Sequence, residues 1–314
     1  MPSGSVPETT HIRAEIARQP EAWARAADLA ADVVGLLPRP GESVAVLGCG
    51  TSWFMGGSYA ASREHAGQGR TDAFAASQFP TGRDYDRVVA ISRSGTTTEV
   101  TRAIESTGAP TTAITAVGGT PVCEVASDVV VLDFADEDSV VQTVFATTTL
   151  TLLRASLGIA ATSPIGQTRE VLAGARPLDP ALLETEQISF LGTGWAYGLA
   201  QEAALKLREA TRLWTESYPQ MEYRHGPIAV AEPGRTVWVL GTPVEGILGE
   251  IDATGATLVD DDLDPLADLV RAQLLAADRA ELVGLDPDRP RHLSRSVVLT
   301  DPCSSASAHA WTSA

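Results

Sequence analysis

Positive charge is the scarcest feature of this sequence of 314 residues. Lys206 is the only lysine, and there are 22 arginines. Because the sequence also has 40 acidic residues, the formal net charge at pH 7 is −17. A surface this acidic cannot neutralise a phosphate backbone and is repelled by an anionic lipid leaflet. The charge therefore excludes sequence-independent nucleic-acid binding, and we expect neither a nucleic acid nor a membrane as partner.

Cysteine and long hydrophobic runs are also scarce. The three cysteines are odd in number and widely spaced, which argues against a disulfide framework and favours a reducing compartment: Cys49, Cys123 and Cys303. Residues 1–16 show no secretory signal, and the best membrane candidate, residues 140–161, is interrupted by Gln142 and Arg154. We therefore expect a cytoplasmic protein.

The composition itself is that of an ordinary globular protein, with 44% hydrophobic and 20% charged residues. Short apolar runs alternate with longer helical patterns, which is typical of parallel α/β sheets. In the first half the predicted strands are residues 44–48, 72–75, 88–92, 112–115 and 129–133. In the second half they are residues 188–192, 213–218, 236–241 and 257–260.

The two halves resemble each other. Each contains an apolar strand that ends in Gly-x-Gly and leads into a helix of small residues, with the first glycines at Gly48 and Gly192. Between the halves, residues 163–180 carry three prolines and two glycines and read as a linker. Because ligands of such sheets bind at the carboxyl ends of the strands, the loops after Gly48, Ser92 and Gly192 are the first candidates for a site.

The loop after Ser92 has the chemistry of a phosphate cradle. Its sequence, Ser-Arg-Ser-Gly-Thr-Thr-Thr-Glu over residues 92–99, places hydroxyls around a glycine at the start of a predicted helix. Hydroxyls, curled backbone amides and a helix N-terminus all favour an anion. The alternative is a Ser/Thr-rich helix cap, which needs only one hydroxyl. The density of hydroxyls favours phosphate binding.

A second group of candidate residues follows in the second half. Glu202, Lys206 and Glu209 lie at i, i+4 and i+7 and share one helix face. On an exposed helix they would form a salt-bridge ladder, but the preceding residues are too apolar for exposure, so the stripe is predicted to face a crevice. A carboxylate near an ammonium and a histidine, here His225, suits acid–base catalysis. Glu222 and His225 lack partners in ligand spacing, so we expect no metal.

With these motifs the chain resembles the sugar isomerase (SIS) domain family in its double-domain form. It is most similar to the isomerase half of glucosamine-6-phosphate synthase and to free-standing amino-sugar-phosphate deaminase/isomerases. The resemblance covers about residues 11–299 and is carried by residues 48–52, 91–97, 137–143, 190–209, 216–230 and 291–297.

The resemblance implies an α/β fold of two similar subdomains, each a mainly parallel five-stranded sheet of flavodoxin-like type flanked by helices. The implied organisation is lead-in helices in residues 1–40, a first SIS subdomain in 41–162, the linker in 163–180 and a second SIS subdomain in 181–299. Residues 300–314, rich in Ser and Ala, are expected to form a disordered tail.

The resemblance also implies roles for individual residues. Glu209 is the base that moves a proton between C1 and C2, His225 helps to open the sugar ring and Lys206 contacts the sugar. Val140 lines the pocket. The phosphate and sugar contacts fall on Thr51, Ser52, Ser92, Arg93, Ser94 and Thr97. The family implies no cofactor, and a homodimer in which the histidine segment reaches the partner's site.

Two positions depart from the family pattern. Arg93 stands where glutamine is frequent, which would add charge to phosphate binding. Arg295 replaces the synthase lysine that engages the open-chain ketose, and a guanidinium cannot form an imine. The sequence therefore favours an aldose–ketose isomerase or amino-sugar-phosphate deaminase over a glutamine-dependent synthase. Two alternatives stay open, a non-catalytic phosphosugar sensor and a fructosamine-6-phosphate deglycase.

Overall fold

A computed structural model describes residues 10–299 as an α/β structure with two parallel sheets. The elements of the first half are α1 (His11–Ala17), α2 (Gln19–Val33), β1 (Val44–Gly48), α3 (Thr51–His65), β2 (Thr71–Ala75), β3 (Arg87–Ile91), α4 (Thr98–Glu105), β4 (Thr111–Thr115), α5 (Pro121–Val125), β5 (Asp128–Val131) and α6 (Val144–Ala155). The predicted tail, residues 300–314, lies outside the described residues, as do residues 1–9.

The second half repeats the alternation of strands and helices. Its elements are α7 (Thr162–Leu172), β6 (Gln187–Gly192), α8 (Ala196–Thr211), β7 (Trp214–Pro219), α9 (Gln220–Tyr223), β8 (Arg235–Val239), α10 (Ile247–Asp252), β9 (Thr257–Val259) and α11 (Pro265–Leu282). All nine predicted strands are confirmed within two residues at each end. The segment predicted as a linker, residues 163–180, contains most of α7 and is therefore partly helical.

The strand order places the site. The first sheet has the order β2-β1-β3-β4-β5 and the second β7-β6-β8-β9, and every pair of neighbouring strands is parallel. In the first sheet the order reverses between β1 and β3, so a crevice opens at their carboxyl ends. The loops that leave β1 and β3 begin at Cys49 and Ser92, and both are among the three loops singled out in the sequence.

The repeated glycines at the ends of β1 and β6 have a common steric cause. A Cβ on Gly48 would lie 2.6 Å from the backbone of Ser52 and Trp53, and a Cβ on Gly192 would lie 2.4 Å from the carbonyl oxygen of Ala196. Both distances are too short for a side chain. In each half, glycine therefore lets the following helix begin directly against the strand end.

The second sheet has four strands within the described residues, where the family resemblance implied five. After β9 the chain enters α11 and then runs back to the first half. There the backbone N–H of Thr98 donates to the carbonyl of Val297, and that of Leu299 donates to Thr98 Oγ1. Residues 295–299, called here the C-terminal segment, thus lie along the phosphate-loop candidate instead of extending the second sheet.

Helices shared between the halves join the two sheets. One continuous core contains buried residues of both halves, including Trp23, Tyr59, Phe145, Leu199 and Leu269. Two smaller clusters cover the outer faces of the first and second sheets. None of the helices between residues 10 and 299 combines the length and apolar character that crossing a bilayer requires. The shared core fixes α3 against α8 and so brings residues of both halves into one site.

Candidate active site

A cavity opens where β1 and β3 end, and it contains most of the residues predicted to bind phosphate. It encloses about 250 Å³ including its solvent-open mouth. Its walls include Ser52 from the start of α3, the loop residues Ser92, Arg93, Ser94 and Thr97, and Arg295 from the C-terminal segment. Four hydroxyls and two arginines thus surround a space in a protein whose overall charge is negative.

Ser92 is a buried polar residue in the wall of this cavity. The residue is 4% exposed, and its Oγ is buried without a hydrogen-bond partner among the described residues. Buried polar atoms are nearly always hydrogen-bonded. Ser94 Oγ, in contrast, accepts hydrogen bonds from the backbone N–H and the hydroxyl of Thr96, at 3.3 and 3.0 Å. The loop is therefore ordered internally while the Ser92 hydroxyl stays unpaired at the cavity wall.

Arg93 lines the cavity, but its guanidinium is occupied elsewhere. The side chain donates to the carbonyl of Ser139 at 2.8 Å and to those of Val140 and Arg295 at 3.3 Å each. Its Nη1 also lies 3.9 Å from Glu137 Oε2. The residue is 2% exposed, so these carbonyls replace its hydration. Arg93 thus joins the phosphate loop to two other segments, and its predicted phosphate contact stays a prediction.

Arg295 lines the cavity, whereas Val140, predicted to line the pocket, is not among the residues of its wall. Val140 is half-buried; its carbonyl accepts from Arg93 and its backbone N–H donates to the carbonyl of Asp288. The Arg295 guanidinium donates to the carboxylate of Asp136 and to the carbonyl of Glu137. Its positive charge is therefore partly neutralised beside the cavity.

The predicted stripe on α8 forms a buried ion cluster. Lys206 Nζ lies 2.6 Å from Glu209 Oε2 and 3.3 Å from Glu202 Oε1. The side chains of Glu202 and Lys206 are each 1% exposed and that of Glu209 is 20% exposed. A ladder on an exposed helix is thereby excluded, and the prediction that the stripe faces inward is confirmed.

Burial and mutual charge set the protonation of this cluster. Burial raises the pKa of Glu202 to about 7, against the opposing charge of Lys206. For Lys206, burial works to lower the pKa, but the charges of Glu202 and Glu209 outweigh it and raise the pKa above its ordinary value. Lys206 is therefore held as an ammonium ion between two carboxyl groups.

Thr51 connects the ion cluster to the phosphate cavity. Its Oγ1 accepts a hydrogen bond from Lys206 Nζ at 3.2 Å, while the next residue, Ser52, lines the cavity. The approach of α3 to α8 depends on Gly198, where a Cβ would lie 2.3 Å from the carbonyl oxygen of Phe54. The close helix crossing thus places the buried ion cluster beside the cavity wall.

His225 is the predicted catalytic residue that the chain does not bring to this cluster. It follows α9, is exposed, and its backbone N–H donates to the carbonyl of Glu222 at 3.0 Å. No contact joins its side chain to Lys206 or Glu209 within residues 10–299. No group of three or more His, Cys, Asp or Glu residues in that part of the chain is arranged to hold a metal.

Gln142 is a cavity residue that the sequence predictions did not include. The available signal was its polarity within an otherwise apolar stretch, residues 140–161. That polarity was interpreted only as evidence against a membrane span. A polar side chain in such a stretch is also typical of a residue that faces a ligand.

Comparison of the sequence with known proteins finds curated relatives that it matches over part of their length. No family model matches the chain. It is 31% identical to the isomerizing glutamine–fructose-6-phosphate aminotransferase of Aeropyrum pernix, over 68% of this chain and 43% of that protein. The enzyme of that name from Tropheryma whipplei strain Twist is 32% identical over 42% of this chain and 27% of its own. The chain thus spans less than half the length of these curated relatives.

Two solved structures share the fold over nearly the whole chain. The glucosamine-6-phosphate deaminase of Thermotoga maritima has a TM-score of 0.76 at 24% identity, covering 92% of this chain and 100% of that one. The tagatose-6-phosphate ketose/aldose isomerase of Escherichia coli has a TM-score of 0.74 at 19% identity, covering 91% and 97%. These likenesses confirm the α/β class inferred from the sequence.

Proposed function

Because the chain belongs to the sugar isomerase (SIS) domain family, we propose that it isomerises an amino-sugar or ketose 6-phosphate by moving a proton between C1 and C2. The observation that carries the proposal is the pair Thr51 and Ser52. One residue accepts a hydrogen bond from the acid–base cluster and the next lines the hydroxyl-rich cavity. A phosphate in the cavity would therefore tether a sugar beside Glu209.

Glu209 is proposed as the base. In the direction of ketose formation its carboxylate takes the proton from C2 of the open-chain aldose, and the electron pair forms the C1–C2 double bond of an enediol or enolamine. The same carboxyl group returns the proton to C1. With an amino group at C2, this return of the proton to C1, with release of an N–H proton, converts the enolamine into an imine at C2, which water hydrolyses to ketose and ammonia. Lys206, 2.6 Å from Glu209, is placed to stabilise the developing negative charge on the substrate oxygen.

The buried ion cluster also argues for an enzyme rather than a sensor. Holding Glu202 and Lys206 at 1% exposure costs desolvation energy that a binding protein has no need to expend. Binding of the phosphate requires the cavity hydroxyls, which lie apart from the cluster. A charged cluster beside the tethered sugar is instead suited to proton transfer.

A substrate panel tests this proposal. Purified protein is incubated with fructose 6-phosphate, glucosamine 6-phosphate, galactosamine 6-phosphate and a fructosamine 6-phosphate, and sugar products, ammonia and free amine are measured. We expect turnover of at least one of the first three and its loss in Glu209→Gln, with exposed Glu21→Gln as the matched control. Release of free amine from the fructosamine alone would support deglycation. Binding without turnover of any substrate would support the sensor and overturn the proposal.

We further propose that the active form is a homodimer in which His225 serves the partner's site. His225 is exposed, and in the same stretch of chain Trp214 at the start of β7 and Met221 in α9 are 72% and 49% exposed. Large apolar side chains in such positions are typical of interfaces. Mixing inactive Glu209→Gln with inactive His225→Ala should restore activity through mixed dimers that carry one intact site. No recovery after subunit exchange, verified by differently tagged chains, would contradict the shared site.

A further inference from the structure

The carboxamide of Gln142 makes no hydrogen bond with any described residue although it lines the phosphate cavity. Its Oε1 is buried without a partner, as is Ser92 Oγ across the same cavity. We propose that Gln142 binds a hydroxyl group of the sugar and thereby selects which sugar phosphate is accepted, an inference that rests on the proposed function. Together with Arg93 Nε, which is also buried without a partner, these atoms give the cavity wall three unpaired polar atoms that a single ligand could contact.

The loop that carries Gln142 is held rigidly on both sides. The carboxylate of Glu137 accepts from the backbone N–H groups of Thr143, Val144 and Phe145, at 2.6 to 3.1 Å, and so caps the start of α6. Arg93 fixes the carbonyls of Ser139 and Val140. The backbone on both sides of Gln142 is thus held by hydrogen bonds, whereas its own side chain makes none with the described residues. A free amide on a fixed loop is preorganised for an external partner.

The chemistry of the amide indicates a hydroxyl rather than the phosphate. The cavity already offers the hydroxyls of Ser52, Ser92, Ser94 and Thr97, together with the Arg295 guanidinium, as donors to a phosphate. A carboxamide is uncharged and presents both a donor and an acceptor, whichever way its end is turned. A dianionic phosphate has no use for the acceptor, whereas a sugar hydroxyl both donates and accepts. Gln142 therefore fits the part of the substrate that differs between sugars.

The test compares a sugar phosphate with phosphate alone. Affinities of wild type, Gln142→Ala and Ser92→Ala for fructose 6-phosphate and for inorganic phosphate are measured by calorimetry. We expect Gln142→Ala to bind fructose 6-phosphate about fivefold more weakly and inorganic phosphate as tightly as wild type does, because one neutral hydrogen bond is lost. Ser92→Ala should weaken both. The melting temperature of Gln142→Ala should match wild type, since no internal hydrogen bond is removed.

The outcomes separate this inference from the proposed function. Equal weakening of both ligands in Gln142→Ala would make Gln142 a phosphate contact, and unchanged affinity for both would remove it from the site; either result overturns the inference and leaves the proposed function standing. A different result would overturn both the inference and the proposed function. In that case wild-type protein would bind fructose 6-phosphate, glucosamine 6-phosphate and galactosamine 6-phosphate no more tightly than inorganic phosphate.

Discussion

Lys206 brings the chain's only side-chain amine into a site where it stays protonated. Its ammonium contacts two carboxyl groups and Thr51, and their charges raise its pKa despite complete burial. An ammonium has no free electron pair, so it cannot attack a ketose carbonyl. At the scale of single residues the cluster thus favours proton transfer over imine chemistry, in agreement with Arg295 standing where the synthase has a lysine.

The first prediction is that no imine forms on Lys206 during turnover. Wild-type protein treated with fructose 6-phosphate and borohydride should show no adduct on the peptide that contains Lys206, because the raised pKa leaves too little free amine at neutral pH. Intact-mass measurement and peptide mapping check this, and the N-terminal amine is the only other target. A sugar adduct mapped to Lys206 would contradict the account.

The sequence could not predict how individual side chains are oriented by contacts with distant residues. The spacing of Glu202, Lys206 and Glu209 was sufficient to predict one helix face, because a helix is regular. The orientation of Arg93 was not predictable, since the carbonyls that hold it belong to Ser139, Val140 and Arg295, which lie 46, 47 and 202 residues away. The position of Gln142 depends on the same distant contacts.

At the scale of elements the crossing of α3 and α8 determines the site. Gly198 has the carbonyl oxygen of Phe54 and Ser58 Oγ within 2.3 Å of where a Cβ would stand. Any side chain there must push the helices apart, and Thr51 at the start of α3 would then lose its hydrogen bond to Lys206. The helix crossing thus couples packing to the geometry of the proposed active site.

We predict that Gly198→Ala lowers both stability and activity. The cost to the free energy of unfolding should be about 1–3 kcal/mol from overpacking, measured by urea denaturation, and kcat should fall more than KM rises. The matched control is Gly166→Ala in α7, where no atom lies within 4 Å of the added Cβ. That control should instead stabilise by about 0.5–1 kcal/mol. Gly198→Ala that behaves as Gly166→Ala would refute the crossing argument.

The strands could be predicted because buried parallel strands are read as short apolar runs. The family resemblance alone predicted a fifth strand in the second sheet, and the described residues form four. No apolar run supports a fifth strand, and the residues after α11 return to the first half. The helix α7 within residues 163–180 was not predicted, because the prolines and glycines of that range are typical of a linker. Its buried residues Ile165, Thr168 and Val171 nevertheless have helical spacing.

At the scale of the whole molecule, acidic groups are buried as well as exposed. Asp268 on α11 is 2% exposed and accepts a hydrogen bond from Trp238 Nε1 at 2.9 Å. Burial raises its pKa from 3.8 to about 7, and Asp260 adds to the effect. Arg271 lies 3.5 Å away but is mainly engaged with Asp261. At pH values between 3.8 and about 7, the folded protein therefore keeps Asp268 protonated, whereas the unfolded chain has released that proton.

This proton makes stability fall as pH rises. Between about pH 4 and about pH 7 the folded state binds more protons at Asp268 than the unfolded state, so its contribution is present at the lower limit and lost at the upper. Asp268→Asn keeps an acceptor for Trp238 and cannot ionise. Its urea midpoint should therefore vary less than that of wild type across this window, by the equivalent of about 1 kcal/mol or more. Parallel pH profiles for the two proteins would contradict the assignment.

The net charge of −17 gives a sugar phosphate no general attraction, so binding depends on local donors. Those donors lie in one cavity formed by the first half and the C-terminal segment, and the acid–base cluster comes from the second half. Neither half contains a complete site. The joint core of the two halves is thus a requirement of the proposed chemistry as well as of stability.

Exchange of the substrate's C2 hydrogen with solvent tests that chemistry most directly. The sugar phosphate that wild type turns over is incubated in deuterated water with wild type, Glu209→Gln or the exposed control Glu21→Gln, and deuterium at C1 and C2 is followed by NMR. The account predicts incorporation with wild type and Glu21→Gln and none with Glu209→Gln, because glutamine cannot accept the proton. Undiminished incorporation with Glu209→Gln would contradict the central claim.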